Sequence, residues 1–206
     1  MQLSNKIYIW LIALACLVSF FSSFGSKLNL IEPIFFNKFL ISFNQIQFYD
    51  FKTTYLIGNE WWRLITPMFI HFSPTHLIFN SLWIYILGRE IEQLDGKIIF
   101  IFLILFASIS SNYLQYSFSG PSLFGGLSGV VYGLLGYCFV SETFLRINKF
   151  SFPPAIYIFM FVWLLIGFTG FLDLLGFGKI ANFAHLGGLL SGILSGYIFS
   201  MYNKKT

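Results

Sequence analysis

Apolar positions in this chain fall in long unbroken runs, not in the alternation of a half-buried strand or the single stripe of a surface helix. Ile7 to Phe24 is a run of 18 residues without a charge. That is longer than the roughly 7 to 15 residues of a signal-peptide core and meets the minimum for a membrane span. Further runs cover 74–88, 98–116, 127–141, 154–172 and 181–202. Charges separate them: Arg89, Glu90, Glu92, Asp95 and Lys97 after the second, Glu142, Arg146 and Lys149 after the fourth, Asp173 and Lys179 after the fifth. The pattern predicts an all-α membrane protein, a bundle of six transmembrane helices forming one domain over 1–206, without internal repeats or low-complexity tracts. Residues 25–62 are the longest polar interval, yet Phe35, Phe36, Phe39, Phe48, Trp61 and Trp62 keep it amphipathic. This predicts a large first loop lying partly in the headgroup layer.

The fourth run is short. Leu127 to Ser141 spans 15 residues, about 22 Å of helix against a hydrocarbon core about 30 Å thick. With Glu142 at one surface, its first turn starts inside the membrane, and Gly120-Pro121-Ser122-Leu123-Phe124-Gly125-Gly126 must descend to it as irregular backbone. Such backbone persists at membrane depth only where protein covers it or a wet cavity adjoins it, so a cavity open to the outside is predicted at the start of span 4.

Composition narrows the classes further. The chain is 57% hydrophobic and 10% charged, against roughly 25% charged in a soluble domain, so a soluble globule is excluded. Its two cysteines, Cys16 and Cys138, lie inside apolar runs, leaving no disulfide framework and no cysteine zinc site; no metal or other cofactor is expected. The net charge of +4 comes with no basic cluster longer than Lys204-Lys205, so the bilayer, not nucleic acid, is the expected partner. An even number of spans puts both termini on one side. That side carries seven Lys and Arg (Lys6, Arg89, Lys97, Arg146, Lys149, Lys204, Lys205) against five on the other (Lys27, Lys38, Lys52, Arg63, Lys179), which predicts cytoplasmic termini.

Spans 2, 4 and 6 then run in the same direction, and each carries polar residues at its outer end. Span 2 opens with Ser73-Pro74, an N-cap serine and a proline at the first helical position, and places His76 and Asn80 one turn apart on one face. Span 4 opens Gly126-Leu127-Ser128-Gly129, and span 6 opens Ala181-Asn182-Phe183-Ala184-His185. Taken singly, a serine among glycines reads as a packing residue, and an asparagine as interhelical glue. Together, a nucleophile, a base and amide or imidazole donors at one depth are what acyl transfer requires. Glycines fit the same pairing: Gly188, Gly192 and Gly196 share the face of His185, while Gly129, Gly133 and Gly136 recur along span 4, so the two helices can approach closely enough to join serine to imidazole.

The stretch Gly125-Gly126-Leu127-Ser128-Gly129-Val130-Val131-Tyr132-Gly133 resembles the nucleophile motif of rhomboid intramembrane serine proteases. His71-Phe-Ser-Pro-Thr-His76-Leu-Ile-Phe-Asn80 is similar to their second-helix signature, Ala184-His185-Leu-Gly-Gly188 to their sixth-helix histidine motif, and Glu60-Trp61-Trp62-Arg63 to the tryptophan-arginine element of their first loop. The resemblance covers nearly the whole chain and is greatest to bacterial GlpG-type members. With no room for the cytosolic amino-terminal domain some relatives carry, a minimal six-helix core in a bacterial inner membrane is expected.

The resemblance implies an endopeptidase that cuts transmembrane segments of membrane-protein substrates near their outer end. Ser128 would be the nucleophile and His185 the general base and then acid. The Ser128 backbone N–H, His76 and Asn80 would hold the oxyanion, Gly126 would let the backbone come close, and Tyr132 would pack against the His185 ring. The family pattern requires no acid; Asp173 is the only carboxylate near His185 in sequence. Trp62 and Arg63 are expected to be structural. A non-catalytic relative that escorts clients would lack Ser128 or His185, and both are present. A transporter with a polar solute site predicts inverted repeats, which are absent.

Overall fold

The computed structural model describes residues 6–43, 45–146, 149–174 and 180–203, without the side chains of 172, 173 and 200–203. The side chain of Asp173, together with Lys179, Lys204 and Lys205, therefore lies outside the described residues. Six longer helices carry the architecture: α1 (Ile7–Phe21), α2 (Pro74–Trp83), α3 (Gly96–Ser119), α4 (Ser128–Phe139), α5 (Pro154–Gly167) and α6 (Asn182–Asn203). Among the described residues, α3 alone is long and apolar enough to cross a bilayer, while α1 and α5 are shorter apolar helices.

Several ends differ from the run lengths. α1 stops at Phe21, short of Phe24, because Ser23, Phe24 and Gly25 take left-handed backbone (φ 50°, 52° and 76°). α5 stops at Gly167, and after a turn at Gly170 (φ 76°) the short helix Phe171–Leu174 follows. α2 continues through the π-helical segment Ile84–Gly88 to the end of its apolar run and past it as Arg89–Leu94, and α4 continues as the π-helical segment Val140–Phe144. Charge alone does not stop a helix whose backbone bonds can continue into a polar layer.

α4 is the axis of the bundle: every residue from Gly129 to Cys138 is buried. Its closest neighbour is α6, and glycines make the approach possible. A Cβ on Gly188 would collide with the Gly129 carbonyl oxygen, one on Gly192 with the Gly133 backbone, and one on Gly136 would sit 2.6 Å from the Leu189 carbonyl oxygen. The two glycine rows thus face each other, as their spacing predicts. α3 packs behind both, where Ala107 and Ser111 fill the space in front of Gly133 and Gly129. α1 is fixed by a long-range cap, since both carboxylate oxygens of buried Glu92 accept backbone N–H groups, from Ile7 and Tyr8, each at 3.1 Å. A carboxylate there offsets the positive end of the helix dipole and satisfies two orphan donors.

The first loop is built, not slack, and it adds one short hairpin to a fold that is otherwise helical, as expected. An antiparallel hairpin, β1 (Phe39–Ser42) and β2 (Gln45–Phe48), pairs Phe39 with Phe48 and Ile41 with Ile46. The alternation is only four residues long in each strand, too short to stand out among the surrounding aromatics. Arg63, 2% exposed, staples the loop: it donates to the carbonyl oxygens of Glu32 and Phe35 and pairs with the carboxylates of Glu32 and Glu60. Trp62 adds a bond from Nε1 to the Pro33 carbonyl at 2.9 Å.

Candidate active site

Ser128 is the first residue of α4, so its N–H has no partner within the helix. The backbone before it, from Gly120 to Leu127, is irregular. Gly120, at φ 68°, ends α3, and Pro121 keeps it from resuming. The segment then leans on the first loop: the Gly126 N–H donates to the Pro67 carbonyl at 3.1 Å, and a Cβ on Gly125 would lie 2.8 Å from that same oxygen. Gly126 is required twice over, by its φ of 122° and because a Cβ would lie 2.6 Å from Cε1 of His76. Beside this segment a cavity of about 360 Å³ opens between α3, α5 and α6, with Gln115, Ser119, Ser122 and Asn182 in its wall.

His185 lies one turn into α6, and its Nε2 is 2.8 Å from Ser128 Oγ, inside the roughly 2.6–3.2 Å window for proton transfer. For Nε2 to accept that proton, the neutral ring must carry its own on Nδ1. Nδ1 is buried and has no hydrogen-bond partner among the described residues, so orientation comes from packing. The ring stacks on Tyr132, with centroids 4.7 Å apart and planes 28° from parallel, and the Tyr132 hydroxyl donates to the Met160 carbonyl of α5 at 2.9 Å. The start of α6 is held from two sides. Gln115 Oε1 accepts the Ala184 N–H at 3.1 Å, and Asn182 Nδ2 donates to the Gly167 carbonyl at 2.8 Å.

The opposite wall comes from α2. Ser73 caps it by accepting the His76 N–H at 3.2 Å, with Pro74 at the first helical position. This fixes the turn that presents His76 and Asn80, and both line one small cavity with Ser128, Tyr132 and His185. The structure therefore brings together all six residues singled out in the sequence: Ser128, His185, His76, Asn80, Gly126 and Tyr132. It leaves Trp62 and Arg63 in the first loop, away from that cavity.

His71 opens the second-helix signature, but the sequence assigns it no role. It is fully buried, and its Nε2 faces both Asn80 Nδ2 at 3.1 Å and the Leu127 N–H at 3.4 Å. Two donors on Nε2 make it the acceptor nitrogen, so Nδ1 carries the proton and can donate to the Phe69 carbonyl, 3.3 Å away. One imidazole thus joins the α2 amide to the residue before the nucleophile. Its position nine residues before Asn80, outside the apolar run, gave no periodic signal.

α2 and α5 meet through aromatic side chains. Phe79 stacks on Trp163 at 5.1 Å and Trp83 on Phe159 at 6.3 Å, so the wall between the small cavity and the flank of the bundle is a seam of rings.

Comparison with known proteins gives a Rhomboid domain over residues 58–202. The chain is 36% identical over 149 residues to the Rhomboid protease GlpG of Haemophilus influenzae, covering 72% of this chain and 74% of that protein. It is 39% identical over 136 residues to that of Serratia proteamaculans and 34% over 146 residues to that of Klebsiella pneumoniae; these matches span 66% and 71% of this chain, but only 47% and 51% of those relatives.

Proposed function

Because the chain belongs to the Rhomboid family of intramembrane serine proteases, we propose that it is an endopeptidase in which Ser128 and His185 form the catalytic dyad and transmembrane segments of membrane proteins are the substrates. The observation that carries this reading is the 2.8 Å approach of His185 Nε2 to Ser128 Oγ at the outer end of the glycine seam. As Oγ attacks the scissile carbonyl, its proton passes to Nε2 and the carbonyl oxygen becomes an oxyanion. The Ser128 N–H, the second amide hydrogen of Asn80 and the His76 ring are the donors for that oxygen, a reading supported by the one small cavity that Ser128, Asn80 and His76 all line. Collapse breaks the C–N bond, and the leaving amine takes the proton from Nε2. Water then repeats the sequence on the acyl-enzyme, with His185 again accepting a proton.

Clients enter from the bilayer through the aromatic seam between α2 and α5, whose Phe79, Trp83 and Trp163 line the same small cavity as Ser128. Cutting falls near the outer end of the client segment, because Ser128 begins α4 and does not sit at its middle. The chain is an integral membrane protein of a bacterial inner membrane, crossing it six times with both termini in the cytoplasm, the arrangement that the Lys and Arg asymmetry supports. The test is a transmembrane reporter co-reconstituted in vesicles with wild-type protein or Ser128→Ala. Product masses ending near the outer end of the reporter segment, absent with Ser128→Ala, support the reading; undiminished cleavage by Ser128→Ala overturns it.

A further inference from the structure

α1 touches the surroundings of the site through one polar side chain. Ser19, in the last turn of α1 and fully buried, donates its hydroxyl proton to the Ala15 carbonyl at 2.7 Å. Its own carbonyl accepts the Phe24 N–H at 2.8 Å, where the chain turns out of the helix. With its one proton committed to Ala15, the hydroxyl oxygen can only accept from anything else. The atom beside it is Nδ1 of His71, 3.5 Å away.

The neighbours of the His71 ring then agree on one proton placement. The Leu127 N–H can only donate and the Phe69 carbonyl can only accept, whichever way the Asn80 amide is turned. The Ser19 oxygen adds a second acceptor at Nδ1, so the proton belongs there and the lone pair on Nε2. At 3.3 Å and 3.5 Å neither acceptor is close, so loss of one weakens the preference. The other tautomer sets a bare Nδ1 against two oxygens and an Nε2–H against the Leu127 N–H. It also turns the Asn80 amide over, because only Oδ1 could then meet Nε2. In that orientation Asn80 offers the oxyanion a carbonyl lone pair in place of an N–H, which repels the developing negative charge. Ring form and amide orientation are thus one choice. Ser19 weighs on it from a helix that lends no described residue to the small cavity holding Ser128 and His185.

We propose that Ser19 is a positioning residue of the reaction: by accepting from Nδ1 it holds His71 in the tautomer that leaves an Asn80 N–H for the oxyanion. The effect on turnover rests on the dyad and oxyanion reading above; the effect on the ring does not.

The test separates the two. Histidine labelled with nitrogen-15 reports the ring directly, since the chain has three histidines and His71→Gln identifies the signals of this one. Protonated and bare ring nitrogens resonate far apart, and a ring exchanging between tautomers gives averaged values. Detergent-purified wild type is expected to show a protonated Nδ1 and a bare Nε2 at His71. In Ser19→Ala the two resonances should move toward each other, and kcat for the transmembrane reporter should fall about three- to tenfold at unchanged KM, the size of one modest hydrogen bond. Ser19→Cys, close in shape but a weaker acceptor, should lie between, and it carries the test should the alanine variant not fold. Ser195→Ala removes a buried helix hydroxyl of the same kind, bonded to the Ser191 carbonyl at 2.8 Å on α6, and should match wild type in both readings. In a His71→Gln background, adding Ser19→Ala should lower kcat no further. Wild-type resonances in Ser19→Ala and Ser19→Cys would overturn the hold on the tautomer. Shifted resonances with wild-type kcat, or an equal loss of kcat with and without His71, would overturn the effect on turnover. Shifted resonances beside a wild type that cleaves nothing would leave the hold on the ring standing and sink the dyad reading instead.

Discussion

The Asn80 side-chain amide donates to Nε2 of His71 at 3.1 Å, so one of its two N–H groups is held and the other is left for the oxyanion in the proposed mechanism. That bond ties a proposed oxyanion donor to a residue outside the proposed dyad.

His71→Ala is therefore expected to lower kcat for a transmembrane client while leaving KM near wild type, by up to the roughly 10²- to 10³-fold that follows loss of one oxyanion donor. His71→Gln, whose amide oxygen can accept the same N–H, should recover part of the loss. Asn80→Ala should match His71→Ala in turnover and still label at Ser128. Steady-state kinetics on the three variants decide; wild-type kcat in His71→Ala would remove the residue from a positioning role.

Gly192→Ala should separate α6 from α4, because its Cβ meets the Gly133 backbone, which cannot swing aside as a side chain would. A cost of about 1–3 kcal/mol is typical of overpacking at such a contact. The thermal midpoint in detergent should fall and Ser128 labelling slow together, since His185 rides on the same helix. An unchanged midpoint would mean that the seam is looser than it looks.

Acid should loosen the first loop. Burial pushes the Glu60 carboxyl up, but the hydrogen bond and charge of Arg63, with Lys38 beside them, outweigh it and hold the group below its ordinary value. A depressed folded pKa contributes stability that is present above the unfolded value, about 4.3, and is lost as pH falls through the folded one. Thermal midpoints measured from pH 7 to 3 should drop steeply for wild type at the acid end. Glu60→Gln should start lower and fall less; parallel curves would contradict the assignment.

What the sequence revealed and what it hid divide along a physical line. Ser128, His185, His76 and Asn80, and the glycines facing each other along α4 and α6, were legible because each is one or a few turns from its neighbours, and helical periodicity converts such spacing into direction. The Glu92 cap on Ile7 and Tyr8, the Arg63 staple and the His71 bridge from Asn80 to Leu127 join segments with no common period, so nothing local announced them. The β1–β2 hairpin was hidden for a different reason, its four-residue alternation being lost among aromatics that also serve the first loop's packing. α1 and α5 end earlier than their apolar runs because left-handed residues, Phe24 and Gly170 among them, are invisible to hydropathy.

Local unwinding of the client is expected to select the cut. In an intact helix each carbonyl is bonded to the amide four residues on and shielded by side chains, so Oγ cannot reach it along the attack direction. Exposed backbone in lipid costs several kcal/mol per group, which the polar cavity beside Gly120–Leu127 relieves. Replacing glycine, proline or small polar residues near the outer end of a client segment by leucine should slow cleavage about tenfold or more, the equivalent of about 1.4 kcal/mol or more left unrelieved. Equal turnover of the stiffened client would show that unwinding is not selective.

The most direct test of the dyad is covalent labelling of detergent-purified protein by a fluorophosphonate, read as a mass shift on the peptide containing Ser128. An unactivated serine hydroxyl is a weak nucleophile and needs its base. Labelling of wild type that disappears in both Ser128→Ala and His185→Ala is the predicted result, whereas labelling that persists in His185→Ala would contradict the pairing that the 2.8 Å contact implies.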